Sequence, residues 1–112
     1  TESLQAEIKG LEDVLYAQIQ AYGRSIGAPI VYSESSYPYF FKDTNGNGIA
    51  DPDELTFTNG YEFNAPLLRA AYNFQMSKKE PCGYIHNARY IAQLLVDSIG
   101  SLGGDVKKYG WR

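Results

Sequence analysis

"SLQAEIKGLEDVLYAQIQAYGRSI", residues 3–26, decides the fold class. Leu4, Ile8, Leu11, Leu15, Ile19, Tyr22 and Ile26 recur at gaps of 4, 3, 4, 4, 3 and 4. That spacing gathers side chains into one stripe along an α-helix, whereas a strand would need alternation. Ser3 offers an N-cap, Gly10 weakens the helix by about 1 kcal/mol, and Gly27 with Pro29 stops it. A helix of about 24 residues reaches about 36 Å at 1.5 Å per residue. Its stripe needs other helices of the same chain to pack against.

Two such helices follow. Over residues 65–78 Asn64 can cap the N-terminus, and Pro66 suits the first turn. Leu67, Leu68, Ala71, Tyr72 and Phe74 supply apolar positions, Lys78 and Lys79 suit the dipole, and Pro81 and Gly83 lie beyond the end. Over residues 87–100 the inward face is Ile91, Leu94, Leu95, Ser98, Ile99 and, just past the end, Leu102, with Gly100, Gly103 and Gly104 terminating the helix. The expected shared core is Leu11, Leu15, Leu68, Tyr72, Leu94 and Leu95. The tail 105–112 is expected to be loosely held. Residues 28–63 read as a long irregular excursion, with a short strand at Ile30–Tyr32 and a turn at Tyr37-Pro38. The expectation is a mainly α, three-helix module, with residues 1–112 as one domain.

Within the excursion lies "KDTNGNGIADPDE", residues 42–54. A calcium ion takes six to eight oxygens, and a twelve-residue EF-hand loop supplies them from positions 1, 3, 5, 7, 9 and 12, with glycine at 6 for the sharp turn. Asp43, Asn45 and Asn47 fall at 1, 3 and 5, Gly48 at 6, and the Ile49 carbonyl at 7. Asp51 falls at 9, acting through water, and Glu54 closes the site at 12. Position 8, usually a larger aliphatic residue, is Ala50, and Pro52 is atypical. No amphipathic helix clearly enters or leaves the loop and no second loop pairs with it, which is closer to the isolated calcium loops of extracellular modules. A plain Asn-Gly turn is the bland alternative, but it does not explain three carboxylates in register. The expected role is structural, because the excursion has few apolar residues of its own.

Composition narrows the rest. With 44% hydrophobic and 21% charged residues and a net charge of −3, nothing favours nucleic acid or an anionic membrane as partner. No apolar run approaches the roughly 18 residues that span a bilayer. The chain opens at Thr1 directly in a helical pattern, as a processed or excised piece would, so the lack of a signal peptide leaves the compartment open. Ten tyrosines suit packing at core edges, and a docking surface would use them too. One cysteine, Cys82, excludes an internal disulfide and a zinc ribbon.

His86 is the one histidine, at the turn from loop into third helix, with no nucleophile or second base near it in sequence. A cap or surface role is the plain reading. Cys82 and His86 stand as C-x-x-x-H, whereas covalent c-type haem attachment needs cysteine immediately before histidine, where Ile85 stands. Haem attached through Cys82 is not expected.

"SYPYFFKDTNGNGIADPDE" (36–54), "APLLRAAYNFQMSKKEP" (65–81) and "GYIHNARYIAQLLVDSI" (83–99), preceded by "LEDVLYAQIQAYGRSIGAPIVY" (11–32), resemble the haem-free C-terminal region of large multihaem c-type cytochromes. These are exported proteins of bacteria that respire with periplasmic or outer-surface electron carriers. The resemblance covers nearly the whole chain and includes no catalytic signature. It implies a periplasmic or extracellular end-piece that packs against a haem-bearing region upstream, so that haem c belongs only to that region. It also implies that His86, a histidine before asparagine at a helix head, is a distal axial ligand of a haem attached elsewhere. Cys82 departs from the family pattern.

The expected function is therefore a calcium-stabilised, non-catalytic module of a multihaem cytochrome in electron transfer. Two other classes stay open. One is a calcium-dependent extracellular interaction module, using its loop as dockerins do and its tyrosines as a binding face. The other is part of an oxidoreductase active site beside an open haem.

Overall fold

The structure, a computed structural model, describes residues 2–79 and 85–104. Helix α1 spans Glu2–Ser25, strands β1 and β2 span Ile30–Tyr32 and Phe40–Lys42, α2 spans Ala65–Lys79 and α3 spans Ile85–Ser101. Two 3-10 turns, Pro52–Glu54 and Phe57–Asn59, lie between β2 and α2. Three helices at nearly the expected bounds make the molecule mainly helical, with a small two-stranded sheet. α1 begins at Glu2, so Ser3 lies inside its first turn rather than before it. Cys82 and the tail 105–112 lie outside the described residues, as does the side chain of Leu4.

The chain forms two compact units, Thr1–Ile19 with Asn64–Arg112, and Gln20–Phe63. In the first, α1 contributes Leu11, Leu15 and Ile19, α2 contributes Leu67, Ala70, Ala71 and Phe74, and α3 contributes Ile91, Ala92, Leu95, Val96, Ile99 and Leu102, all buried. Tyr16 stacks on Phe74 with ring centroids 5.5 Å apart. Buried polar pairs fix how the helices meet. The Ser77 hydroxyl donates to Glu12, with Lys78 Nζ 3.7 Å from the same carboxylate, and Asn73 donates to Ser98 Oγ at 2.9 Å. Gln18 donates to the Leu102 carbonyl at 3.0 Å. Asn64 caps α2 as expected, its Oδ1 accepting from the Leu67 N–H at 3.0 Å.

Two expected core residues are not buried. Leu68 is 52% exposed and Tyr72 is 66% exposed. At 100° per residue, Leu67, Ala70, Ala71, Phe74 and Ser77 share one face of α2, and Leu68 and Tyr72 fall about 100° and 140° round from Leu67. Small alanines, rather than the larger Leu68 and Tyr72, bring α2 close to its neighbours. Leu94 is only half-buried, at the edge of an α3 face centred on Leu95.

The second unit carries more order than an irregular excursion. β1 and β2 pair antiparallel, with Ile30 opposite Lys42, Val31 opposite Phe41 and Tyr32 opposite Phe40, and Phe41 also bridges to Gly60. Ile30, Val31, Phe40 and Phe41 are all buried, so both faces of the pair are covered. Rings of Tyr32, Phe40, Phe63 and Tyr61 follow in sequence at 4.9, 5.6 and 5.0 Å. The Tyr61 hydroxyl donates to the Ala28 carbonyl. α1 stops because Gly27 turns at φ 77°, and the Ala28 N–H returns to the Gly23 carbonyl at 2.8 Å. Ile26 therefore lies past the helix end and is 47% exposed. The chain also turns at Tyr37-Pro38, where Tyr39 takes φ 79°.

Candidate metal centre

β2 delivers the chain into residues 43–54, and the Asp43 N–H donates to the Pro29 carbonyl at 3.0 Å, extending the pairing by one bond. Glycines at 46 and 48 take φ 71° and 76°, a region that side chains disfavour, which lets the backbone double back twice. Three backbone-to-side-chain bonds then repeat. The Gly48 N–H donates to Asp43 Oδ2 at 2.8 Å, the Asn47 N–H to Asn45 Oδ1 at 3.1 Å, and the Ile49 N–H to Asn47 Oδ1 at 2.9 Å. The side chains at positions 1, 3 and 5 of the loop are thus held by the loop's own backbone.

Asn45, Asn47 and Asp51 are brought together directly. Both amides donate to Asp51 Oδ2, at 2.7 and 3.0 Å. Glu54 turns inward through the 3-10 turn and is 1% exposed. Its Oε1 accepts from the Asp51 N–H at 3.1 Å, and its Oε2 accepts from the Thr44 N–H at 2.7 Å and the Thr44 hydroxyl at 3.0 Å. Burial alone pushes the Glu54 carboxyl up. Donors from Asp51, Thr44 and Asn45 outweigh that effect, so its pKa lies below the ordinary value and the group is a carboxylate. Asp43 is 7% exposed, and its Oδ1 is buried with no hydrogen-bond partner. The Ile49 side chain is 63% exposed and does not anchor the loop.

Three residues that the sequence reading passed over complete the arrangement. Asn59 Nδ2 donates both to the Lys42 carbonyl at 3.0 Å and to the Glu54 carbonyl at 2.9 Å, joining the two ends of the loop. Thr44 holds Glu54. Gln20, in the last turns of α1, donates to the Gly48 carbonyl at 3.1 Å. Thr44 lies inside the loop, whereas Asn59 reaches back 17 residues to Lys42 and Gln20 reaches 28 residues forward to Gly48. Among the described residues, no three or more His, Cys, Asp or Glu side chains are grouped so as to hold a metal ion. A site here would rest on amide and backbone oxygens as much as on carboxylates. The backbone of His86 lies in the first turn of α3, and its side chain is outside the described ones.

The chain is 34% identical, over 119 aligned positions, to the C-type polyheme cytochrome OmcB of Geobacter sulfurreducens strain DL-1 / KN400. The alignment covers 94% of this chain and 16% of that protein. This chain is related to the C-terminal portion of polyheme c-type cytochromes. OmcB of strain ATCC 51573 / DSM 12127 / PCA gives the same figures. The C-type polyheme cytochrome OmcC of that strain is also 34% identical, with 94% of this chain and 15% of OmcC covered. The chain thus spans about one sixth of the length of the curated relatives it matches. No family model and no solved structure matches it. No helix among the described residues is long and apolar enough to cross a membrane.

Proposed function

We infer that this chain is a calcium-stabilised, non-catalytic module of a multihaem c-type cytochrome, periplasmic or extracellular, working in respiratory electron transfer. It packs on the haem-bearing part of the same protein and offers His86 as a distal haem ligand. The relationship to OmcB and OmcC supports the setting. With a single cysteine the chain has no CxxCH, so covalently attached haem c belongs to the rest of the protein.

The observation that carries the calcium reading is Asp43 Oδ1. A buried carboxylate oxygen without a donor is costly, and a cation is the partner that removes the cost. The available donors are all oxygen, from Asp43, Asn45, Asn47, the Ile49 carbonyl, Asp51 and Glu54, which is the chemistry of a hard cation such as calcium rather than zinc. Asn45 Oδ1 and Asn47 Oδ1 each accept one backbone bond and keep a second lone pair. Glu54 accepts on both oxygens, from Asp51, Thr44 and Asn45, so closing on an ion with both of them would compete with these donors. When bound, the ion supplies positive charge among these oxygens. The protein holds the loop in shape through Gly46, Gly48 and Asn59.

Melting the chain in calcium and in chelator tests this. At a hundred times Kd, calcium is expected to add about 2.7 kcal/mol and raise Tm by roughly 10 °C. Identical melting in the two buffers contradicts it.

A further inference from the structure

One peptide plane of the loop is held at both ends, and one of the holders comes from a helix. The Gly48 carbonyl accepts from Gln20 Nε2 at 3.1 Å, and the N–H of the same peptide, on Ile49, donates to Asn47 Oδ1 at 2.9 Å. Gln20 Nε2 also lies 3.4 Å from the Ile30 carbonyl of β1. A single half-buried carboxamide therefore ties the last turns of α1 to β1 and to the middle of the loop.

This plane immediately precedes the Ile49 carbonyl, the backbone oxygen at position 7. Gly48, at φ 76°, has no side chain to restrain it, and the Ile49 side chain is 63% exposed. Rotation about the Gly48–Ile49 segment would swing the Ile49 carbonyl with it. Position 8 is Ala50, too small to serve as the aliphatic tether. Polar bonds hold this plane, from Gln20 on one side and Asn47 on the other.

We propose that Gln20 is a positioning residue for calcium: by fixing the Gly48–Ile49 peptide it sets the direction of the Ile49 carbonyl, so metal affinity depends on the last turns of α1. This rests on the calcium reading above. By reciprocity, a bound ion strengthens the α1-to-loop link by the same factor by which that link strengthens ion binding.

The test is calorimetric titration of calcium into the chelator-treated chain for wild type, Gln20→Met and Gln20→Ala, with melting of each in calcium and in chelator. Met keeps the bulk and removes the donor, while Ala is the strongest helix former and guards against a folding failure. Both variants are expected to bind calcium about 2- to 13-fold more weakly, the range that one net hydrogen bond corresponds to. Their loss of Tm should be larger in calcium than in chelator. Wild-type affinity in either folded variant, with equal Tm losses in the two buffers, makes Gln20 structural only and overturns the proposal while leaving the calcium site standing. A wild-type chain that takes up no calcium overturns the site itself, and the positioning role with it.

Discussion

At Asp43 the two oxygens of one carboxylate meet opposite conditions. Oδ2 accepts the Gly48 N–H and Oδ1 has nothing. If Oδ1 belongs to a cation, Asp43→Asn removes the calcium-dependent part of Tm. In chelator the variant should melt no lower than wild type, because a neutral amide left unpaired costs less than a charge. Melting curves of both proteins in both buffers check this, and an Asp43→Asn chain still stabilised by calcium goes against it. Glu54 behaves differently with pH. Its folded-state pKa is depressed, so the stability it contributes is present above the ordinary value of 4.5 and is lost as pH falls through the folded value. In chelator, acid titration followed by circular dichroism is expected to be shallower for Glu54→Gln, and equal slopes would show that Glu54 carries none of the acid sensitivity. The ligand positions were legible because they follow a fixed register within twelve residues. Asn59 and Gln20 were not, because their contacts depend on how separate segments fold together, and Thr44 stands at a loop position for which the ligand register specifies no role.

The helices were legible for a similar reason, since a 3.6-residue period survives as a pattern in the sequence. What the pattern concealed on α2 was which flank faces inward, because Leu68 and Tyr72 outweigh Ala70 and Ala71 in hydrophobicity but not in fit. Leu95, fully buried, and Leu68, half out, therefore predict different costs. Leu95→Ala should lose about 2–5 kcal/mol in urea unfolding, and Leu68→Ala should stay within about 0.5 kcal/mol. Comparable losses would mean that the inward face of α2 has been misplaced. Strand β2 left little trace in the sequence, because Phe40 and Phe41 are both buried and give no polar alternation. Gly23 belongs to this scale as well. A Cβ there would stand 2.9 Å from the Ala28 carbonyl oxygen and 3.2 Å from Ile30 Cγ2. Gly23→Ala should cost about 1–3 kcal/mol by pushing the turn off the end of α1, and an unchanged unfolding midpoint would contradict that.

For the whole molecule, the alignment takes in about one sixth of OmcB, and the proposed role rests on that relationship. In the full-length protein, His86→Ala should convert one bis-histidine haem to a high-spin or water-ligated one and leave the haem count unchanged. Unaltered optical and magnetic spectra would make His86 structural. The family was legible from long ordered stretches, whereas a ligand role for His86 involves a haem that no residue of this chain attaches. The calcium loop is what the chain itself must answer for. Crystals grown with calcium and measured for anomalous scattering test it most directly. A bound calcium ion should give one peak about 2.3–2.6 Å from oxygens of Asp43, Asn45, Asn47, Glu54 and the Ile49 carbonyl. A loop without a peak, with both asparagine amides still on Asp51 and Asp43 Oδ1 still unpaired, would contradict it.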